Sequence, residues 1–166
     1  MRRIILRQPT RADQRDFLAA VRRSGPLHRP WVSPPATPAR YAALLKRMKS
    51  AEYESFLVRT RDGDEIAGVV NISNIVMGML RSGYLGYYAF AGFERRGLMR
   101  EGILAVVRVA FSRLKLHRLE ANIQPGNAAS IALVRSCGFA KEGYSPRYLK
   151  IGGRWRDHER WAIRAS

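Results

Sequence analysis

The stretch from Met99 to Leu114 constrains this chain's fold most, because it is amphipathic at helical spacing and stands between two strand-patterned segments. Ile103, Val106, Val107, Ala110 and Leu114 fall on one face, with Glu101, Ala105, Arg108, Ser112 and Lys115 opposite. Before it comes the aromatic segment "SGYLGYYAF". After it, "HRLEANIQ" alternates Leu119, Ala121 and Ile123 against Arg118, Glu120 and Asn122, as a half-buried strand does. A strand–helix–strand unit of this kind needs a sheet for the helix to cover.

The flanking segments supply that sheet. Arg2 to Arg7, with Ile4, Ile5 and Leu6, reads as a first strand. Arg11 to Arg23 reads as a helix carrying Phe17, Leu18 and Val21, with Thr10 as its N-cap. The proline-rich stretch 25–38, "GPLHRPWVSPPATP", reads as a loop. A second helix over Ala39 to Lys49 follows, with Tyr41, Leu44, Leu45 and Met48 as its apolar side. "YESFLVRT" and "EIAGVVNIS" flank the turn "RDGD" as a hairpin. Asn127 can cap the helix in "PGNAASIALVRSCGF" and Gly138 can close it. The tail reads as two strands joined at Gly152-Gly153. The order β-α-α-β-β-β-α-β-α-β-β predicts an α/β fold with a mixed sheet, in one domain over residues 1–166.

Composition narrows the function. No apolar run reaches the roughly 18 residues of a membrane span. "MRRIILRQPTRADQRDF" has charge without an apolar signal core, and Cys137 is the only cysteine, so a reducing cytoplasm is expected. His28, His117 and His158 are scattered, so no metal site is predicted. Net charge is +17, with 30 Lys and Arg against 13 Asp and Glu. That balance favours polyanions such as nucleic acid, a ribosome or a phosphate-rich cofactor, and opposes polycations. An adaptation for solubility would give the same charge, so charge alone selects no function.

Between the aromatic strand and the amphipathic helix stands "GFERRGLMREGI", residues 92–103. A helix start offers unpaired N–H groups and a positive dipole end. Gly97 would let an anion approach the backbone, and Arg95, Arg96 and Arg100 would add charge at the rim. An ordinary turn with a solvated rim accounts for the same residues. The stretch lacks the Lys-Ser/Thr of a Walker loop and the extra glycines of a dinucleotide fingerprint.

Taken together, "LGYYAFAGFERRGLMREGI" and "HRLEANIQPGNAASIALVRSCGFAKEGY" resemble the GNAT acetyltransferase core. "NISNIVMGMLRSGYLGYY", "KEGY" and "YLKIGGRWRDH" resemble the RimJ branch of ribosomal-protein-alanine N-acetyltransferases. The resemblance runs from about Ile4 to Ile163. It implies a mostly antiparallel central sheet with helices on both faces and acetyl-CoA as cosubstrate. It also implies that the amides of Arg95, Arg96, Gly97, Leu98, Met99 and Arg100 hold the pyrophosphate. Tyr88, Ala89 and Phe90 would pair with the pantetheine arm, which Asn127 would also reach. Two positions depart from the family's loop: Glu94 replaces Gln or Arg, and Met99 replaces a small residue.

By the same resemblance, Ser130 stands where RimL-like relatives carry a serine acid; it could equally satisfy orphan N–H groups of its helix. Tyr144 and Tyr148 are alternative acids. The relatives' sixth-strand glutamate falls on Leu149 here. Glu120 could order a water as base or simply pair with Arg118. An α-amine has a pKa of about 7.7–8.0 and is roughly one-tenth neutral near pH 7, whereas a lysine at about 10.4 is almost wholly charged. A site without a strong base therefore suits a protein N-terminus. Trp31, Asn71, Ser73, Tyr87, Tyr148, Trp155 and Arg156 are candidates to line the acceptor side, core packing being the alternative for the aromatics. The resulting expectation is an N-acetyltransferase, monomeric or homodimeric, acting on a protein N-terminal amine near ribosome or RNA, with no membrane partner. A small-amine acetyltransferase and a non-catalytic basic module that binds nucleic acid are the alternatives.

Overall fold

A computed structural model describes residues 3–166; the expected first strand began at Arg2, which lies outside the described residues. The elements are β1 (Ile4–Arg7), a 3-10 turn (Arg11–Asp13), α1 (Gln14–Arg23), α2 (Gly25–His28), α3 (Pro38–Arg47), β2 (Glu54–Thr60), β3 (Ile66–Val76) and β4 (Ser82–Ala89). They continue with α4 (Leu98–Ser112), β5 (Arg118–Ile123), α5 (Ala128–Ser136), β6 (Ala140–Ile151) and β7 (Arg154–Arg164). The strands form one sheet in the order β1-β2-β3-β4-β5-β7-β6, antiparallel except between β4 and β5. The expected α/β fold with a mixed sheet is present.

That single parallel contact places the site. It joins Ser82 to Arg118, Gly83 to Leu119 and Tyr84 to Glu120, and then stops. Beyond it β4 continues to Ala89 paired with β3, while β5 continues to Ile123 paired with β7. Each strand follows its antiparallel neighbour, so the sheet opens into a fork.

Packing holds both sides of the sheet. Val58 and Gly68 are paired across β2 and β3 and so share a face. That face receives α4: a Cβ on Gly102 would lie 2.6 Å from Val58 Cγ2, and one on Gly68 would overlap Met99 Sδ. On the opposite face, Phe17 of α1 packs edge-on against Phe90 at 5.7 Å and tilted against Tyr41 of α3 at 4.9 Å. All three rings are fully buried, and Tyr41 Oη donates to Thr10 O at 2.7 Å, which satisfies the only polar atom in the group. The buried Arg59 guanidinium bonds Asp13 at 2.9 Å and Asp64 at 2.8 Å, tying the start of α1 to the β2–β3 turn.

Three local expectations change. Thr10 caps the 3-10 turn instead of α1, its N–H and Oγ1 donating to Asp13 Oδ2 at 2.8 and 2.9 Å. The proline-rich stretch begins with the short α2, because Pro26 falls in its first turn, where no amide donor is needed. Ala105, expected on the polar side of α4, is buried, because α4 meets α5 as well as the sheet. At the other end Gly152 and Gly153, both at positive φ, make the β6–β7 turn as read.

Candidate active site

The fork encloses a cavity of about 780 Å³ bounded by β4, β5, α5, the loop before α4 and the α2 region. The loop of residues 90–97 borders it through Phe93, Glu94, Arg95 and Gly97. The first amides of this loop are satisfied internally: Phe90 N donates to Ala67 O at 2.9 Å, Ala91 N to Ser24 Oγ at 2.9 Å, and Gly92 N to Glu94 Oε2 at 2.6 Å. The Glu94 carboxylate, whose sign looked wrong for an anion site, is thus folded onto its own turn.

Phe93 N likewise donates to Phe90 O at 3.2 Å, and the amides that follow it, up to Arg100, have no such partner among the described residues. Arg95 and Gly97 take φ of +58° and +77° on either side of Arg96, the kind of alternation from which concave runs of N–H groups are built. The first backbone bond of α4 runs from Glu101 N to Gly97 O at 3.1 Å, which leaves Leu98, Met99 and Arg100 with orphan donors. Arg3, which no sequence signal singled out, buttresses this turn. Its Nη1 donates to Arg96 O at 2.9 Å and its Nε to Glu101 Oε1 at 2.6 Å. A Cβ on Gly97 would come to 3.0 Å from Arg3 Nη2.

The loop arginines divide. Arg95 lines the cavity, and Arg100 lines it while donating to Ser136 O at 3.1 Å. Arg96 lies outside the lining, with its guanidinium 5.5 Å from the Phe93 ring centre. Leu98 and Phe90 are core residues away from the cavity, so any contact they make there is through their backbone. Met99 lines the cavity yet fills the space that Gly68 leaves, which explains how a large residue stands in the loop's last position.

Tyr88 and Ala89 form the β4 side of the cavity, where Ala89 O accepts from His28 Nε2 at 2.7 Å. Across the fork, Asn127 Oδ1 accepts from Ser130 N at 3.3 Å, capping α5. Ser130 Oγ is thereby free to meet Tyr87 Oη at 2.6 Å. Burial pushes the Tyr87 phenol far above its ordinary range, opposed by the Ser130 hydrogen bond, so Tyr87 keeps its proton.

The acceptor-side candidates are only partly gathered. Trp31 and Tyr87 line the cavity, with Trp31 packed toward Gly126. Asn71 accepts from Ser55 Oγ at 2.6 Å, and Ser73 sits opposite Tyr84 on β3; neither lines it. Tyr148 stands beside it, its Oη 3.4 Å from Tyr84 Oη and its ring 6.2 Å from His158. Trp155 is 61% exposed, and the part of Arg156 used here is its carbonyl, which accepts from His158 Nδ1 at 2.9 Å.

Two catalytic candidates lie elsewhere. Glu120 pairs with Arg118 at 2.8 Å, Arg118 also holds Glu142, and Glu120 stands outside the cavity lining. Tyr144 is exposed, stands outside the cavity lining and donates to Asp157 Oδ2 at 2.6 Å. Leu149, standing where relatives carry a glutamate, does line the cavity and makes that position apolar. His28 and His158, buried in the lining, were missed, since isolated histidines in sequence reveal nothing of their neighbours.

An amide-lined mouth opening onto a splayed β4–β5 pair, with a hydroxyl pair inside, is the arrangement of an acyl-CoA-dependent acetyltransferase domain. Residues 3–140 match the acetyltransferase (GNAT) domain family, and the chain belongs to it. Among individual proteins, it is 43% identical over 97 residues to the [ribosomal protein uS5]-alanine N-acetyltransferase of Escherichia coli (strain K12), covering 58% of this chain. The chain spans half the length of that relative. Mycobacterium smegmatis RimJ, solved in complex with CoA-disulfide, superposes with a TM-score of 0.89 at 25% identity over 98% of this chain and 82% of its own. A spermidine N-acetyltransferase from Vibrio cholerae shares the fold, with a TM-score of 0.82 at 21% identity over 98% of this chain and 95% of its own.

Proposed function

We propose that this chain transfers an acetyl group from acetyl-CoA to a primary amine, and that its acceptor is a protein N-terminal α-amine such as the alanine of a ribosomal protein. The observation that carries the reading is the polarity of the fork. Orphan amides and two arginines stand at its mouth, a neutral hydroxyl pair stands inside, and Glu94 at the mouth is the one carboxylate among the lining residues. The amides of Leu98 to Arg100 with Arg95 and Arg100 suit a pyrophosphate; Tyr88, Ala89 and Asn127 suit an extended amide-bearing arm.

Acetyl-CoA, when bound, supplies an acyl thioester. The amine nitrogen that takes the acetyl group gives up one proton, and the departing sulfur takes one up. Ser130 Oγ is the donor at that sulfur, with Tyr87 Oη in hydrogen-bond contact to resupply it. No carboxylate in the fork's interior would strip a proton from a charged lysine, so an amine with a pKa of about 8 is the better match. The Escherichia coli relative, by its name, modifies a ribosomal-protein alanine, and a net charge of +17 favours approach to RNA-rich surfaces while opposing polycations.

Incubation with acetyl-CoA and Ala-starting peptides, followed by fragment mass analysis, tests this. Acetylation is expected on the first residue's nitrogen. Acetylation confined to lysine side chains or alkylamines would overturn the N-terminal reading.

A further inference from the structure

Among the described residues, four glycines lie inside strands: Gly68 of β3, Gly83 and Gly86 of β4, and Gly143 of β6. A glycine inside a strand weakens it, because it loses more chain entropy on folding and packs nothing. Three of the four answer to crowding. A Cβ on Gly68 would overlap Met99 Sδ, one on Gly83 would lie 2.7 Å from Ile72 Cγ2, and one on Gly143 would lie 2.5 Å from Arg160 Nη2. Gly86 has no such reason, since a Cβ there would meet nothing within 4 Å. Its backbone does not require glycine either: it pairs with Asn71 in unbroken register and takes no left-handed φ. The remaining cause of a glycine in a strand is a ligand that comes close to the backbone.

Gly86 is exposed although β4 is the fourth of seven strands, and it lines the cavity. It stands two residues past Tyr84. Asn122, which also lines the cavity, stands two residues past Glu120, the partner of Tyr84 in the last parallel pair. Side chains alternate along a strand, so Gly86 and Asn122 belong to one face of the sheet, on opposite sides of the open fork. Tyr88 is on that face too and meets His28 edge-on at 5.3 Å. Tyr87 is on the other face, where its Oη meets Ser130 Oγ, the donor to the departing sulfur.

An amine must reach the acyl carbon from a side that the sulfur and its proton donor do not occupy. With Tyr87 and Ser130 on one face, that side is the face of Gly86. A side chain there would project into the gap through which the amine and the first atoms behind it have to pass. We infer that Gly86 is a specificity-determining residue, its missing side chain being the clearance over which the acceptor's amine and α-substituent reach the thioester. This rests on the N-terminal acetyltransferase reading and adds what limits the size of the acceptor's first residue.

The test uses the full chain with acetyl-CoA and three acceptors that differ only at the α-carbon: glycinamide, alaninamide and valinamide. Gly86→Val should lower kcat/KM for alaninamide by about tenfold or more, the scale of an overpacked contact. Gly86→Ala should lower it less, and both losses should grow from glycinamide to valinamide. The thermal shift produced by CoA should be unchanged in both variants. Because a Cβ at this position meets no protein atom, the ligand-free melting temperature should hold or rise, whereas a glycine kept for packing predicts a fall. If Gly86→Val folds poorly, the size trend in Gly86→Ala decides. Equal losses for all three acceptors, a weaker response to CoA or unaltered kinetics in the folded variants overturn the inference and leave the N-terminal reading standing. Acetylation of alkylamines but of no amino-acid amide or peptide sinks the N-terminal reading. In that case a series from methylamine to isopropylamine decides Gly86 by the same size trend, and transfer to no amine at all sinks both.

Discussion

Ser130 meets Tyr87 twice, its carbonyl accepting from Tyr87 Oη at 3.2 Å as well, and its amide and hydroxyl serve separate purposes. Its backbone N–H is capped by Asn127 Oδ1 at 3.3 Å, and its Oγ meets Tyr87 Oη at 2.6 Å. The sequence left open whether this serine served the helix or the chemistry. With Asn127 as the cap, the hydroxyl is spare. Ser130→Ala should therefore lower kcat by about 10²-fold or more, the scale of a lost general acid. KM for acetyl-CoA should stay near its original value, and stability should fall by only about 1 kcal/mol. Steady-state kinetics beside a denaturation curve separate these effects; unchanged kcat would make the hydroxyl pair structural. Glu94 shows the limit of reading at this scale. Its charge is plain in the sequence, but that it turns onto Gly92 N depends on the backbone path of a loop.

At the scale of elements, α4 is seated by what is missing beneath it. Gly102 passes directly over Val58, where a Cβ would approach to 2.6 Å, and Gly68 leaves the room that Met99 fills. Gly102→Ala should destabilise the protein by about 1–3 kcal/mol, since overpacking a filled core forces shifts. The double variant Gly102→Ala with Val58→Ala should recover part of the loss, as a denaturant titration of all three proteins would show. Additive losses would mean that the two residues are not in contact. The apolar face of α4 was legible from its spacing, including all of Ile103, Val106, Val107 and Ala110. The strand each glycine would meet was not, because contacts between α4 and β2 are separated by some forty residues of chain.

Over the whole molecule, excess positive charge must be tolerated by a fold that pairs its few acids carefully. Tyr144 and the Arg147 amide hold the Asp157 carboxyl below its ordinary range, Arg118 does so for Glu142, and Lys141 for Glu159. All three lie on the β6–β7 hairpin. A carboxyl whose pKa is lowered by folding stabilises above its unfolded value and loses that contribution as pH falls. Stability should thus decline as pH drops below about 4, first in this hairpin and with the repulsion of a +17 chain adding to it. Hydrogen exchange at pH 3 and pH 6 checks the order; equal protection of β6–β7 at both would refute it. The groups are exposed or half-exposed, so each contributes little and added salt should weaken the effect. The sequence by itself determined the strands, the helices other than α2, their order, the glycine turn before α4 and the absence of a glutamate at Leu149, because each rests on local periodicity or on residue identity. Only the tertiary structure decided where the fork opens, that Glu120 is taken by Arg118, that Tyr144 bonds Asp157 outside the cavity and that Asn122 stands opposite Arg160. Those depend on register between strands distant in sequence, where a shift of one residue turns every side chain to the other face.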